Sequence, residues 1–408
     1  MELIVQKYGG TSVKDTARIR EVALRIAATR KKGAQVVAVV SAMAGETDRL
    51  LKLARDFSER PSERDLDAVL SSGEQVTSGL LAIALNAIGC PAVSAQGHQI
   101  RILTDSAFNN ARIQDINTKK MSEFLNEGKV VVVAGFQGMD KEGNITTLGR
   151  GGSDLSAIAL AHALKAKVCE IYTDVDGVFT ADPRICPNAR QLKYIFYEEM
   201  LEMASQGAKV LQTRSVEMAA KYHVPVMVLN SYNNNPGTLV CKEDPTMEEP
   251  VVSGIASNAQ EAKVTVRHVP DKPGVASKIF ERIAKEELVV DMIVQNSSRE
   301  GFTDMTFTVP KTDLPRAISA MEQLAKEIQA GSVDSDSNIA KVSVIGVGMR
   351  THTGVASKMF STFAKEGINI QLISTSEIKI SCVIDSKYME LAVRALHDAF
   401  GLEHEPQK

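Results

Sequence analysis

Residues 3–12 read LIVQKYGGTS, and this stretch indicates how the chain begins to fold. Its first three residues are apolar and predict a short buried strand. The two glycines end that strand, and a helix is predicted from Thr11 or Ser12 onward. Such a turn suits a phosphate, because the free backbone N–H groups at the start of a helix attract anions. It is not a P-loop, since the motif G-x-x-x-x-G-K-[ST] does not occur there and Lys7 precedes the glycines.

Four longer apolar runs follow in the N-terminal part of the chain, and each predicts a strand buried on both faces of a parallel sheet. They are QVVAVVS (35–41), KVVVVAGF (129–136), KVCEIYTD (167–174) and VPVMVLN (224–230). Segments with one apolar helical face lie between strands, and the first shows it at positions 19, 22, 23, 26 and 27. This alternation predicts an α/β fold, a three-layer and mainly parallel sheet sandwich.

The C-terminal part contains an internal repeat with a constant offset between its two copies. GVASK occurs at 274–278 and at 354–358, and AKE occurs with the same offset at 284–286 and at 364–366. Each copy predicts the order βαββαβ of a ferredoxin-like module. A stretch rich in Asn, Pro and acidic residues, 232–250, separates the repeat from the N-terminal part. The repeat fits either a duplicated structural core or a paired sensor whose turns bind a carboxylate.

Composition excludes several classes of protein. The chain has 408 residues, enough for two or three domains, and a net charge of -3, which argues against a nucleic-acid-binding face. Its five cysteines form no C-x-x-C pair, so we expect reduced thiols and a cytoplasmic location rather than disulfides or zinc. The N-terminus lacks the pattern of a signal peptide, and no run of about 18 apolar residues predicts a membrane span.

Five motifs follow one another along the first part of the chain: KYGGTS, VVSAMAGETDRL, TTLGRGGSD, YTDVDGVFTADPR and GAKVLQTRSVEMA. The second repeat copy adds NIQLISTSE. Over essentially its whole length the chain therefore resembles the aspartate kinases of the amino-acid kinase superfamily, which carry tandem C-terminal ACT domains. The resemblance implies a catalytic domain at 1–245, a linker or strand at 246–262, and ACT domains at 263–337 and 338–408.

The implied reaction is phosphoryl transfer from MgATP to the side-chain carboxylate of L-aspartate, which gives 4-phospho-L-aspartate on the route to lysine, threonine and methionine. That carboxylate is already ionised at pH 7, so cations and N–H donors are needed rather than a general base. The implied catalytic residues are Lys7, Asp154 and Lys209. The implied ATP-binding residues are Lys7, Gly9, Gly10, Ser41, Thr173, Asp174, Asp182, Arg184 and Lys209. The implied aspartate-binding residues are Ser41, Gly45, Thr47, Glu74, Arg150, Ser153 and Asp154.

Some of these residues also have simpler interpretations. Thr47 and Asp154 could merely cap helices, and Glu74 could be an ordinary exposed helical residue. Where the resemblance holds, Glu74 binds the ammonium of aspartate and the planar fork of Arg150 binds a carboxylate. No protein side chains are expected to hold a metal by themselves, since Mg²⁺ arrives with ATP.

In the ACT pair the resemblance implies binding of lysine, threonine or both as effectors, together with assembly into a homo-oligomer. The implied effector residues are Asp271, Gly274, Val275, Ala276, Gln295 and Asn296 in the first module, and Val355, Asn369, Ile370, Thr375, Ser376 and Glu377 in the second. Three alternatives stay open at this point. The chain could be a related kinase for glutamate, acetylglutamate or UMP, a sensor without catalytic activity, or a kinase whose ACT pair serves only assembly.

Overall fold

The structure is a computed structural model that describes residues 1–207, 210–243, 251–296 and 301–405. The chain divides into two compact units. The first comprises the described parts of Met1–Phe179, Gln191–Ser205 and Lys209–Met247. The second comprises those of Thr180–Arg190, Gln206–Ala208 and Glu248–Lys408. The predicted boundary at 245/246 lies outside the described residues, so that boundary stays a prediction.

The first unit is built from alternating strands and helices. In chain order its described elements are β1 (Leu3–Tyr8), α1 (Thr16–Lys31), β2 (Gln35–Val40), α2 (Glu46–Phe57), α3 (Glu63–Ala87), β3 (Ala92–Ala95), β4 (Ile102–Thr104), β5 (Ile113–Ile116), α4 (Lys119–Asn126), β6 (Val130–Ala134), β7 (Gln137–Met139), β8 (Ile145–Thr147), α5 (Gly152–Ala163), β9 (Val168–Thr173), β10 (Tyr194–Phe196), α6 (Tyr197–Ser205), α7 (Thr213–Tyr222), β11 (Val226–Asn230) and β12 (Thr238–Cys241).

Eight of these strands form the central sheet in the order β10-β12-β11-β9-β1-β2-β6-β3. All neighbours are parallel except β11 and β12. Helices α1 and α3 pack on one face through Ile19, Ile26 and Leu81, whereas α5 packs on the other. The predicted strands at 35–41, 129–136, 167–174 and 224–230 are β2, β6, β9 and β11. The predicted three-layer α/β class is therefore confirmed.

The first helix begins later than its sequence predicts. Residues Gly10–Val13 form a short 3-10 turn, and α1 starts only at Thr16. Asp15 is the reason, because its carboxylate accepts a hydrogen bond from the backbone N–H of Arg18 at 2.8 Å and so caps the helix. The glycine turn thus keeps its own N–H groups apart from the long helix that follows.

Helix α3 is long and apolar enough to cross a bilayer by length and composition alone, and among the described residues it is the one helix that is. Half of its most apolar window is buried inside the structure, where Leu81 and Leu85 pack against the sheet. A buried core helix has the same composition, so this test is weak support for a membrane span.

The second unit contains two four-stranded sheets. Its described elements are β13 (Gly254–Asn258), β14 (Glu261–Pro270), α8 (Val275–Lys285), β15 (Ile293–Gln295), β16 (Phe302–Pro310), α9 (Leu314–Glu327), β17 (Val333–Asp336), β18 (Ile339–Ile345), α10 (Val355–Lys365), β19 (Leu372–Thr375), β20 (Lys379–Asp385) and α11 (Met389–Ala399). The sheet orders are β15-β16-β14-β17 and β13-β18-β20-β19. The first copy of the repeat is thus a complete βαββαβ module.

The second module obtains its fourth strand from elsewhere in the chain. No strand follows α11 among the described residues, and β13, which precedes the first module in sequence, pairs antiparallel with β18 instead. The register joins Gly254 to Ile345 and Asn258 to Lys341. The expectation that each copy carries its own βαββαβ set is therefore corrected for the second copy. A short edge strand can come from any segment that reaches the sheet, because strand pairing is not a local property.

Candidate active site

The carboxyl ends of the parallel strands bring the predicted residues of the first unit together, as expected for an open α/β sheet. Lys7 lies near the end of β1, opposite Val39 of β2 and Ile171 of β9. Its Nζ is 2.6 Å from Oδ1 of Asp154, and the two side chains are only 11% and 10% exposed. This ion pair joins the end of a central strand to the first turn of α5.

The glycine turn after β1 is closely packed against its neighbours. The N–H of Gly9 donates to the carbonyl oxygen of Tyr172 at the end of β9. A Cβ at Gly10 would lie 3.0 Å from the carbonyl oxygen of Ala42, so only glycine lets the loops after β1 and β2 approach without displacement. The N–H of Ser41 donates to the Tyr8 carbonyl and holds the second loop against the first strand.

Glu74 reaches this loop from the middle of α3. Its Oε1 accepts a hydrogen bond from the N–H of Ala42 at 3.0 Å, and the residue is 4% exposed. Its Oε2 is buried and has no hydrogen-bond partner among the described residues. Burial raises the pKa of this carboxyl to about 7, against the lowering effect of the Ala42 N–H. The alternative that Glu74 is an exposed helical residue is therefore wrong.

The start of α5 lies against the end of β6. A Cβ at Gly135 would come within 2.9 Å of the Cβ and Oγ of Ser153, so the absence of a side chain admits Ser153 to the sheet edge. Gly151 is the N-cap residue with φ +71°, and Asp154 belongs to the first turn. The alternative that Asp154 is simply the cap does not hold. Thr47 is likewise not a cap, because Gly45, with φ +80°, occupies that position before α2.

Sequence reasoning missed two residues that hold the loop between β8 and α5. Asp67 of α3 is fully buried, and its carboxylate accepts hydrogen bonds from the N–H of Asn109 and from the N–H and hydroxyl of Thr147. Arg214 donates to the carbonyl of Leu148 at 2.6 Å. Arg214 lies within the motif GAKVLQTRSVEMA but was given no role. No motif marks Asp67, which looks like one more acidic residue in the first turns of an amphipathic helix.

A further acidic residue that was missed organises the loops after β9 and β11. The carboxylate of Asp176 accepts hydrogen bonds from the side-chain amides of Asn230, Asn233 and Asn235. The first two of these bonds are the main cause of the lowered pKa of Asp176. The run of three asparagines after β11 would have signalled this cluster.

The remaining predicted residues differ in how they are placed. Thr173 ends β9 and its hydroxyl donates to Asp174 at 3.2 Å. Arg150 is exposed and makes no described side-chain hydrogen bond or ion pair. Asp182 and Arg184 belong to the second unit, where they pair with each other at 2.7 Å. Lys209 lies outside the described residues.

Most of the predicted effector residues of the first ferredoxin-like module surround one cavity of about 300 Å³. The residues that line it include Asp271, Gly274, Val275, Ala276 and Gln295. Asn296 lies next to it, and its carbonyl accepts a hydrogen bond from Thr303, which also lines the cavity.

The second module is different. A cavity of about 590 Å³ is lined there by Val355 together with Arg190 and His352. Five other predicted residues do not line it: Asn369, Ile370, Thr375, Ser376 and Glu377. Within the part of the chain that the structure describes, no three His, Cys, Asp or Glu side chains gather as a metal-binding group.

The fold and the site define a class of protein. The profile of the amino acid kinase family matches residues 2–230, and ACT domain profiles match residues 264–326 and 342–400. The chain is 57% identical over 404 residues to a protein from Pseudomonas putida named aspartate kinase, an alignment that covers 99% of this chain and 98% of that one. The chain belongs to the aspartate kinase family.

Two solved structures support this assignment. The Escherichia coli aspartokinase III complex with aspartate and ADP superposes with a TM-score of 0.81 at 26% identity, over 98% of this chain and 99% of that one. The complex of the same enzyme with lysine and aspartate gives 0.79 at 26% identity, over 98% and 100%. Aspartate kinases phosphorylate the side-chain carboxylate of L-aspartate with ATP and are regulated through their ACT domains. The predicted reaction is therefore confirmed, and the related-kinase and inactive-sensor alternatives are set aside.

Proposed function

We propose that the aspartate kinase reaction takes place at the carboxyl edge of the central sheet, beside the buried Lys7–Asp154 pair. That pair carries the proposal, because two charges with side chains about one-tenth exposed are costly unless they serve each other or a ligand. The glycine turn after β1 offers backbone N–H groups to phosphate. Gly9, Gly10, Ser41, Thr173 and Asp174 would line the ATP side.

The chemistry requires charge stabilisation rather than proton transfer. Lys7 would neutralise the negative charge that spreads over the transferring phosphoryl group, and Asp154 would hold its ammonium in place. Lys209, Asp182 and Arg184 would add contacts to the nucleotide. Mg²⁺ would be carried by the phosphate oxygens, which suits an ion that keeps several waters and needs few protein ligands.

The aspartate side of the site would use the loops after β2 and β8. The free Oε2 of Glu74 would accept the α-ammonium, while Arg150 and Ser153 would bind the carboxylates. Gly45 and Thr47 would contribute from the start of α2. The complex of Escherichia coli aspartokinase III with aspartate and ADP supports this placement by likeness of fold.

The proposed function is tested by measuring ADP release with ATP and one acceptor at a time. Aspartate should give turnover, whereas glutamate, N-acetylglutamate and UMP should give little above background. Turnover with one of these three but none with aspartate would contradict the proposed aspartate pocket.

Glu74 makes a prediction about pH. Because its pKa is about 7 in the folded chain, folding takes up a proton between the ordinary carboxyl pKa and 7. Wild-type stability attributable to Glu74 therefore falls as pH rises through this window. Glu74→Gln cannot ionise and does not lose stability in this way. Its free energy of unfolding relative to that of wild type should therefore increase by up to about 3 kcal/mol between pH 5 and pH 8. Urea unfolding of both proteins at the two pH values measures this gain.

The exposed Glu59→Gln is the matched control and should show no such pH-dependent gain. In kinetics, the wild-type KM for aspartate should rise below pH 7, because a protonated Glu74 cannot pair with an ammonium. Glu74→Gln should show a high KM at every pH. An equal stability difference between Glu74→Gln and wild type at pH 5 and pH 8 would contradict the raised pKa.

We also propose that lysine, threonine or both inhibit the enzyme by binding the ACT pair. The first-module cavity offers the Asp271 carboxylate for an ammonium and the start of α8 for a carboxylate. The complex of Escherichia coli aspartokinase III with lysine and aspartate supports an amino acid effector. A second effector site with different side chains would be formed in the second module by Val355, Asn369, Ile370, Thr375, Ser376 and Glu377. We further propose a cytoplasmic location and assembly into homo-oligomers through the ACT modules.

Effector residues should uncouple inhibition from catalysis. Asp271→Ala, or Thr375 replaced by a bulky residue, should raise the inhibitory concentration by about tenfold or more and leave the uninhibited kcat nearly unchanged, since allosteric coupling is usually about 1–3 kcal/mol. Initial rates with lysine, threonine and their mixture measure this. The exposed Glu322→Ala in the first module should behave as wild type. Full inhibition of both effector variants would place the effector elsewhere. If neither lysine, threonine nor their mixture inhibits wild type, the ACT modules serve assembly instead of inhibition.

A further inference from the structure

The two ACT modules contact each other through equivalent residues of the repeat. Leu372 follows Met292 by the offset of the repeat, just as Gly354 follows Gly274. Met292 and Leu372 belong to one small apolar cluster with Ile339 and Val383. Met292 is in the first module and the other three are in the second. When two similar bodies meet through the same surface, the contact is isologous and has an approximate two-fold axis.

The charged contacts follow the same rule. Nζ of Lys341 lies 2.7 Å from Oε1 of Glu261, and the two side chains are 2% and 9% exposed. Glu261 and Lys341 are also separated by the offset of the repeat, so each meets its own equivalent in the other module. In an isologous contact only residues at the axis do this. The Glu261–Lys341 pair therefore marks the axis between the modules.

A neighbouring pair of equivalent residues, Asp291 and Gln371, adds a second difference between the modules. Lys341 forms a further ion pair with Asp291 of the first module. The equivalent of Asp291 is Gln371, and its Oε1 accepts a hydrogen bond from Lys263 of the first module. The axis thus has a carboxylate–ammonium contact on one side and an amide–ammonium contact on the other.

The charges at the axis distinguish the possible pairs of modules. Two copies of the first module in this contact would bury Glu261 against Glu261. Two copies of the second would bury Lys341 against Lys341. Only first with second places opposite charges together. An uncompensated buried charge is strongly destabilising, and repulsion of this kind is how similar surfaces select their partners.

We propose that Glu261 and Lys341 select the pairing of the two ACT modules: they direct a first module onto a second module, here that of the same chain, and reject the pairing of two first modules or of two second modules through this surface. Asp291 strengthens this choice, because it gives Lys341 a second carboxylate. Its equivalent in the second module, Gln371, has no carboxylate to offer. The partner of this surface is therefore fixed by charge, while its apolar part, Met292 and Leu372, is nearly alike in both modules.

The test uses the full chain with Lys263→Cys and Gln371→Cys as a reporter of the contact, joined by a short bismaleimide. A link within one chain leaves a product of monomer size in denaturing gels, whereas a link between chains gives a dimer, and peptide masses identify the 263–371 link. In this background Lys341→Glu should reduce the intrachain link to about a tenth, because it replaces opposite charges by like charges at the buried contact. The full inversion E261K/D291K/K341E should restore it.

The matched control is Arg267→Glu, which reverses an exposed arginine of the first module that pairs with Asp304 and Asp334 away from the axis. It should leave the intrachain link at the level of the parent reporter. The inversion variant keeps the test decisive even where Lys341→Glu folds poorly, because it carries as many opposite-charge contacts as the parent. An intrachain link at parent level in Lys341→Glu, or one that stays low in the folded inversion variant, overturns the proposal.

Discussion

Replacing Lys7 with alanine should lower kcat by about 100-fold or more, which is the scale of removing one preorganised electrostatic donor from a transition state. The ammonium lies beside the glycine turn and is held by Asp154 at 2.6 Å. Its charge is needed most when negative charge spreads over the transferring phosphoryl, so the loss should fall on kcat much more than on the KM for aspartate. Steady-state kinetics with aspartate and ATP varied separately measure both.

Two controls accompany this variant. Lys32→Ala removes an exposed lysine at the end of α1 and should leave kcat as in wild type. Thermal unfolding of Lys7→Ala shows whether the unpaired Asp154 carboxylate has destabilised the fold, and kinetics are then read at a temperature where the variant is folded. A kcat within a few-fold of wild type would remove Lys7 from the transition state.

The sequence predicts the location of Lys7 well and its partner poorly. Lys7 could be placed at the carboxyl edge because LIV before it marks a buried strand and such strands end at one edge of a parallel sheet. Asp154 could be placed at the start of a helix for similar local reasons. Their contact depends on β1 lying between β2 and β9 with Lys7 opposite Ile171, and strand order and register are set by long-range packing.

The residues that sequence reasoning missed have a common physical cause. Asp67 is one of several acidic residues near the start of α3, and its neighbour Asp65 is exposed. Nothing local separates the two, although only Asp67 is buried, because it faces Thr147 from a distant part of the sequence. The role of β13 was hidden in the same manner, since a strand that precedes one module completes the sheet of the other. Periodicity finds strands and helices, whereas the partners of buried polar groups follow from the tertiary fold.

Asp67→Ala should therefore have the second large effect, this time on stability and on the aspartate pocket together. The carboxylate accepts three hydrogen bonds with donors on Asn109 and Thr147, the latter at 2.7 Å through both its N–H and its hydroxyl. Removing it leaves buried donors unpaired at about 1–3 kcal/mol each, so we expect a total loss of about 3–5 kcal/mol in the free energy of unfolding. Urea unfolding measures this loss.

The same substitution should loosen the segment that follows β8, which carries Arg150 and leads into Ser153 and Asp154. The KM for aspartate should then rise more than the KM for ATP, because the proposed ATP loops follow β1 and β9 instead. Asp65→Ala on the same helix is the matched control: its side chain is 68% exposed and pairs with the exposed Arg64, so it should change stability by less than about 1 kcal/mol. A folded Asp67→Ala with wild-type stability, or with equal increases in both KM values, would show that Asp67 does not position this loop.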